Sequence, residues 1–177
     1  MKEYTITAFS EHQTGIMQRV VSIFTRRHIN IDSLSVSKSS IQGIHRFTIV
    51  VHVSEEMVKK LVAQIEKQID VVKAFYDTNE NIVHQELALY KVPTEAFANG
   101  NKVEKLIRSY NARILAIETE YIVVEKTGHP RDTESLLEEF KKIGIYEFVR
   151  SGRVAIVKPM ERLNKYLQSL EVEEEMN

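Results

Sequence analysis

Apolar and polar residues change their spacing along this chain in a fixed order, and the order occurs twice. Tyr4 to Phe9 alternates like a half-buried strand, after which Ile16, Val20, Ile23 and Phe24 fall at helical spacing and predict a helix from near Gly15 to Arg27. Leu34 and Val36 then alternate with Ser33, Ser35 and Ser37 in a strand over residues 31–37, and Ser39 to Gly43 reads as a hairpin loop. A third strand places His45, Phe47, Ile49, Val51 and Val53 on one face. Ser54 is the expected N-cap of a second helix, Glu55 and Glu56 favour its positive start, and Val58, Leu61, Val62, Ile65 and Ile69 form its apolar stripe. Val71 to Tyr76 closes the unit as a fourth strand, giving the order βαββαβ.

After the polar stretch Asp77 to Asn81 the same order returns. Val83 to Val92 is a strand broken by Pro93, and Val103, Leu106, Ile107 and Tyr110 mark a helix beyond the loop around Asn99, Gly100 and Asn101. Ile114–Glu118 and Tyr121–Glu125 are two strands about a short turn, the second ended by Gly128, His129 and Pro130. Asp132 is the expected N-cap of a helix that turns Leu136, Leu137, Phe140 and Ile143 inward and stops at Gly144. One last strand runs from Tyr146 towards Val157, bent at Ser151 and Gly152.

Two consecutive βαββαβ units predict an α+β protein of two tandem ferredoxin-like sandwiches, each a four-stranded antiparallel sheet with two helices on one face. The first covers residues 1–78 and the second residues 82–158. Apolar residues on both faces of the second and third strands leave such small domains poorly covered, so pairing of sheets between subunits is expected. Residues 159–177 carry Leu163, Tyr166, Leu167 and Leu170 at helical spacing before the acidic run that starts at Glu171, which predicts a helical acidic tail.

Composition narrows the function without naming it. With 24 basic and 25 acidic residues the net charge is −1, so no general attraction draws the chain to nucleic acid or to an anionic membrane. There is no cysteine, which removes disulfides and thiolate chemistry. Met1, Lys2 and Glu3 run straight into a strand without a signal-peptide core, and no apolar segment approaches the ~20 residues of a membrane span. A cytoplasmic protein is expected.

The search for catalytic chemistry is negative. The six histidines are scattered, with no pair of ligands at i, i+4, so no metal site is expected. G-x-S-x-G, the P-loop and G-x-G-x-x-G are all missing. The βαββαβ order is shared with RNA-binding RRM domains, but the third strand here reads Gly43-Ile44-His45-Arg46-Phe47-Thr48-Ile49-Val50-Val51, with one Phe and no stacking pattern. What remains is a glycine, Gly15, where a strand turns into a helix. Free N–H groups at a helix start, unobstructed by a side chain, can hold a carboxylate; the same glycine also serves as a permissive turn.

The stretch Glu11-His12-Gln13-Thr14-Gly15-Ile16-Met17-Gln18-Arg19-Val20, followed by Ile23-Phe24-Thr25-Arg26-Arg27-His28-Ile29-Asn30-Ile31-Asp32-Ser33-Leu34, resembles the opening of the small regulatory subunit of acetolactate synthase (acetohydroxyacid synthase). The resemblance returns at Gly144 to Ala155, so it touches both halves of the chain. It implies that the first unit is an ACT amino-acid-binding domain that pairs with a second copy by joining sheets, with the effector at that interface. The effector residues it implies are His12, Gln13, Thr14, Gly15, Ile16, Asn30 and Ile31: Gly15 offering backbone N–H groups to a carboxylate, Asn30 a side-chain amide, and Ile16 and Ile31 apolar wall. Asn30 is also a common turn residue, and Ile16 and Ile31 equally suit a core.

The chain departs from the family pattern at three places. His12 stands where Asn is usual, Gln13-Thr14 replaces an acidic residue followed by Ser or Pro, and His28-Ile29 replaces Gly and an aromatic. A glycine at position 28 would cap the helix with positive φ, which His adopts only at a cost. The family implies a regulator with no catalytic residues of its own. Its partner would be the catalytic large subunit, a transferase carrying thiamine diphosphate, Mg and FAD, and valine would act as feedback effector in branched-chain amino-acid biosynthesis. A homodimer or higher oligomer is implied. The alternative is a tandem ACT-type sensor that regulates some other partner.

Overall fold

The computed structural model describes residues 1–98 and 102–158. The described chain divides into two compact units, one of residues 1–84 with residues 153–158 and one of residues 85–152. Residues 159–177, where the acidic tail was expected, and the loop at 99–101 lie outside the described residues.

The first unit contains β1 (Lys2–Glu11), α1 (Ile16–Thr25), β2 (Ser33–Lys38), β3 (Ile44–Val53), α2 (Glu55–Glu66) and β4 (Val71–Asp77). Its sheet has the order β2-β3-β1-β4, with every pairing antiparallel, which is the ferredoxin-like arrangement that the βαββαβ pattern predicts. Register decides which side chains meet the helices. Tyr4 opposes Val51, Ile6 opposes Ile49 and Ala8 opposes Phe47, and these pack with Val20, Ile23 and Phe24 of α1 and Val58, Leu61 and Ile65 of α2. Each fully buried Ile, Leu or Phe contributes roughly 1.5–3 kcal/mol through lost contact with water, so this face dominates the unit's stability. Ser54 caps α2 as expected, accepting from the Met57 N–H at 3.3 Å. Ile69 is a correction: the helix ends at Glu66, and Ile69 is 89% exposed in the following turn instead of completing the buried stripe.

The opposite face of this sheet is covered from within the chain. Arg153 and β9 (Val154–Val157) lie on it. The Arg153 N–H donates to Ser33 Oγ at 2.9 Å, Arg46 donates to the Ala155 carbonyl at 2.5 Å, and the Lys158 N–H donates to the Asn81 carbonyl at 2.9 Å. The Arg153 side chain is 5% exposed as a residue and donates to Thr5 at 2.8 Å, Asn79 at 3.1 Å and Glu3 at 2.7 Å. Thr5, Thr7, Thr48 and Val50, on the sheet face away from the helices, are consequently buried. The bent final strand expected from Tyr146 to Val157 is therefore two strands. The alternation that reads as one element is interrupted at residues 151–153; its second part, β9, clusters with the first unit while pairing with the strand of residues 82–93.

The second unit contains β5 (Ile82–Pro93), α3 (Glu95–Ala98), α4 (Lys102–Ser109), β6 (Arg113–Ile117), β7 (Tyr121–Gly128), α5 (Pro130–Ile143) and β8 (Glu147–Arg150). Its sheet order, β6-β7-β5-β8, repeats that of the first unit, with β9 as a fifth strand also paired to β5. Ala88, Tyr90 and Val92 of β5 face Val103, Ile107, Leu136 and Phe140 of the helices. Tyr90 is fully buried, burial pushes its phenol up, and its hydroxyl donates to the Thr133 carbonyl at 2.7 Å. At the start of α5 the N-cap is His129, with Pro130 at the first helical position; Asp132 sits three residues in, accepting from the His129 N–H at 3.3 Å. The expected cap at Asp132 is thus displaced by one half of a capping box, because Pro130 fixes the φ that opens the helix earlier.

Candidate functional site

The loop between β1 and α1 is where the sequence points, and its conformation follows from one residue. Gly15 has φ 86° and ψ −6°, a left-handed conformation that glycine adopts without penalty, and it forms the N-cap of α1. No side chain caps this helix start, and its first turn carries no acidic residue. A Cβ built at Gly15 would meet nothing within 4 Å, so the backbone there faces open space. The Gly15 carbonyl accepts from Arg19 N–H at 3.1 Å, which commits the chain to the helix. Amide groups at such a start carry partial positive charge with no competing carboxylate, the condition for receiving an anion.

The neighbours divide into exposed and buried. His12, Gln13 and Thr14 are exposed with Gly15, whereas Ile16 turns into the core at 7% exposure. Gln13 N–H donates to the Glu11 carbonyl at 3.0 Å and His12 N–H to the Gly43 carbonyl at 3.0 Å, so the loop is held against the β2–β3 hairpin. The His12 ring stacks on that of His45 with centroids 4.1 Å apart and planes 25° apart. Alternation put His45 on one face of β3 with Phe47 and Ile49, but nothing in the sequence indicated that it meets His12, because the contact depends on how the loop folds back. Nearby, Arg19 is ion-paired with Asp70, whose carbonyl accepts from Glu11 N–H at 2.8 Å.

Asn30 and Ile31 lie elsewhere. They follow the end of α1, Asn30 exposed and Ile31 half-buried against the core. Gly15 and Asn30 therefore stand at opposite ends of a helix of 10 residues, ~15 Å of axis, which is farther than one amino acid reaches. Within one chain the structure brings His12, Gln13, Thr14, Gly15 and Ile16 together, and Asn30 and Ile31 together, as two groups.

His28 has φ 53°, the left-handed value anticipated from its position after the helix. The Ile29 N–H reaches back to the Phe24 carbonyl at 3.1 Å, closing α1 in a Schellman-type turn. The second unit repeats the device: Asn111 has φ 50°, and the Ala112 N–H donates to the Ile107 carbonyl at 2.9 Å. The internal repeat thus extends from element order down to single caps.

Among the described residues no group of three or more His, Asp or Glu side chains is placed to hold a metal ion, and no helix is long and apolar enough to cross a membrane. Two ferredoxin-like units in tandem, the first opening a helix with an uncovered left-handed glycine, are the arrangement of a tandem ACT-type regulatory protein. Residues 6–73 match the family described as AHAS small subunit-like ACT domain, and residues 85–159 match that described as small subunit of acetolactate synthase. The chain belongs to the acetolactate synthase small-subunit family.

Among its relatives is the acetolactate synthase small subunit of Bacillus subtilis, 37% identical over 154 residues that cover 86% of this chain and 89% of the relative. That of Mycolicibacterium smegmatis is 34% identical over 153 residues, covering 86% and 89%. The crystal structure of the acetolactate synthase small subunit from Thermotoga maritima superposes with a TM-score of 0.82 at 25% identity, covering 90% of this chain and 99% of that one.

Proposed function

We propose that this chain activates a separate acetolactate synthase catalytic subunit and makes it responsive to valine. The catalytic subunit supplies thiamine diphosphate, Mg and FAD; this chain supplies a valine-dependent equilibrium between two arrangements of paired ACT domains, one of which supports catalysis less well. The reaction, a transferase step that joins two 2-oxo acids on the way to branched-chain amino acids, takes place wholly in the partner.

The observation that carries this reading is the separation of Gly15 from Asn30. Each suits one end of an amino acid, backbone N–H groups for the carboxylate and a side-chain amide for the ammonium group, yet they lie at opposite ends of α1. A second copy brings the two ends together if sheets join through β2, which is the terminal strand of its sheet and has one edge free for pairing. Valine then lies between the loop of one copy and Asn30 of the other, with Ile31 beside its side chain.

The test is valine binding by calorimetry together with activation of the cognate catalytic subunit. Gly15→Asp puts a carboxylate where the ligand's would sit; aspartate enters the left-handed region more readily than most residues, and the space around position 15 is open, so the fold survives. Asn30→Ala removes polar partners at a cost of roughly 1–3 kcal/mol of binding free energy. Both variants are expected to activate the partner and to resist valine. Wild-type valine affinity in both would leave the glycine a turn and the asparagine a cap.

A further inference from the structure

His12, three positions before Gly15, is the residue of this loop that meets His45. We propose that the His12–His45 ring stack is a latch on the loop carrying Gly15, closed while both rings are neutral and released by a proton. At 4.1 Å between centroids, two neutral imidazoles gain contact, whereas a proton on His45 charges a ring covered by His12, and a proton on each sets like charges face to face. His45 is poorly suited to charge in the closed loop. Its Nδ1 is buried without a hydrogen-bond partner, so an added proton would have no acceptor there. Burial, the facing His12 and Lys38 hold its imidazole below the ordinary range.

The surroundings do not reverse this. His45 pairs across the sheet with Ser10 of β1 and Lys38 of β2, the hairpin residues 39–43 are uncharged, and Arg46 is directed over the Phe9 ring. Of the acidic groups at this pole, Asp70 is occupied by Arg19, and Glu11 is exposed. Besides the stack, His12 is tied to its surroundings by its N–H on the Gly43 carbonyl. Opening the stack therefore frees the residue three positions before Gly15.

The sign follows from linkage. The closed loop has the lower imidazole pKa and the open loop the ordinary one, so the closed state is favoured above the ordinary value near 6.5 and lost as pH falls through the lowered one. If valine needs the closed loop, its affinity falls on acidification by up to about tenfold per pH unit, the limit for one linked proton. That consequence rests on the effector reading above, whereas the latch does not.

Nuclear magnetic resonance of the full chain from pH 5 to 8 tests the latch. The Gly15 amide is expected to move in step with the His45 imidazole, and in His45→Phe, which keeps an aromatic face under His12 but cannot titrate there, to stay at its closed position. A Gly15 amide indifferent to the His45 titration, or moving equally in His45→Phe, overturns the latch. Calorimetry with L-valine then reads the consequence: affinity falling from pH 7.5 to 5.5 in the wild type and flat in His45→Phe supports it. Affinity that rises on acidification, as attraction between a His12 cation and the carboxylate would give, overturns it. A loop that opens in the spectra of a chain that binds no valine at any pH would sink the effector reading and leave the latch standing.

Discussion

At the scale of single residues the informative positions are those whose backbone departs from the common regions. Gly15 was legible because glycine at a strand–helix junction has few uses, and its φ of 86° bears out the turn; the sequence could not tell whether the turn was open, which depends on what packs around it. His28 was legible for the opposite reason, as a residue other than glycine where positive φ was required, and its φ of 53° shows the requirement met against preference. A non-glycine residue in this region carries roughly 1–2 kcal/mol of strain. His28→Gly is therefore expected to stabilise the first unit by about 1 kcal/mol, the relief of strain being offset in part by the greater freedom of the unfolded chain. Asn111→Gly should gain less, since asparagine tolerates φ of 50° better. Urea unfolding of both variants reads the difference. The His12–His45 contact was not legible at all, for its two halves lie 33 positions apart (45 − 12) and no local spacing reports a ring stack.

Among elements, periodicity identified the strands and helices but not their partners. Val154 to Val157 reads as a strand, and it is one, yet alternation does not say which sheet it covers. It pairs with β5, and Arg153 ties its start to the first sheet. Burial pushes the Glu3 carboxyl up, but hydrogen bonds from Arg153 and Asn79, with the charges of Arg153 and His52, outweigh it and leave the carboxyl below its ordinary value. A depressed carboxylate stabilises the fold fully above the ordinary 4.5, and that contribution disappears as pH falls through the lowered value. Arg153→Ala removes the side-chain donor to Thr5 and leaves Glu3 with Asn79 as its hydrogen-bond donor, and is expected to cost about 2–4 kcal/mol, less than a fully buried pair because Glu3 is partly exposed. Its unfolding free energy should also depend less on pH below 4.5 than that of the wild type. Arg153→Lys, which keeps the charge but not the fork of donors, should fall between the two.

For the whole molecule, tandem βαββαβ units were readable because each element changes period at the right place, and the order repeats. The sequence reading carried the second unit to residue 158; residues 153–158 cluster with the first unit, while β9 also pairs with β5. A fragment of residues 1–79 consequently lacks the cover over Thr5, Thr7, Thr48 and Val50 and is expected to be markedly less stable than the same domain in the full chain, with a tendency to associate. Joining residues 1–84 to 152–158 by a short flexible linker should restore a cooperative transition; equal stability of the two fragments would show that the cover contributes little. The arrangement also has a meaning in time. During synthesis the first unit emerges up to residue 84 and then waits for 69 further residues (153 − 84) before Arg153 exists. At about 5–20 residues per second that delay is roughly 3–14 s, long on the scale of domain folding. The ACT half of the protein is begun first and finished last, so a ribosome that stops early releases a chain whose N-terminal half still lacks its cover.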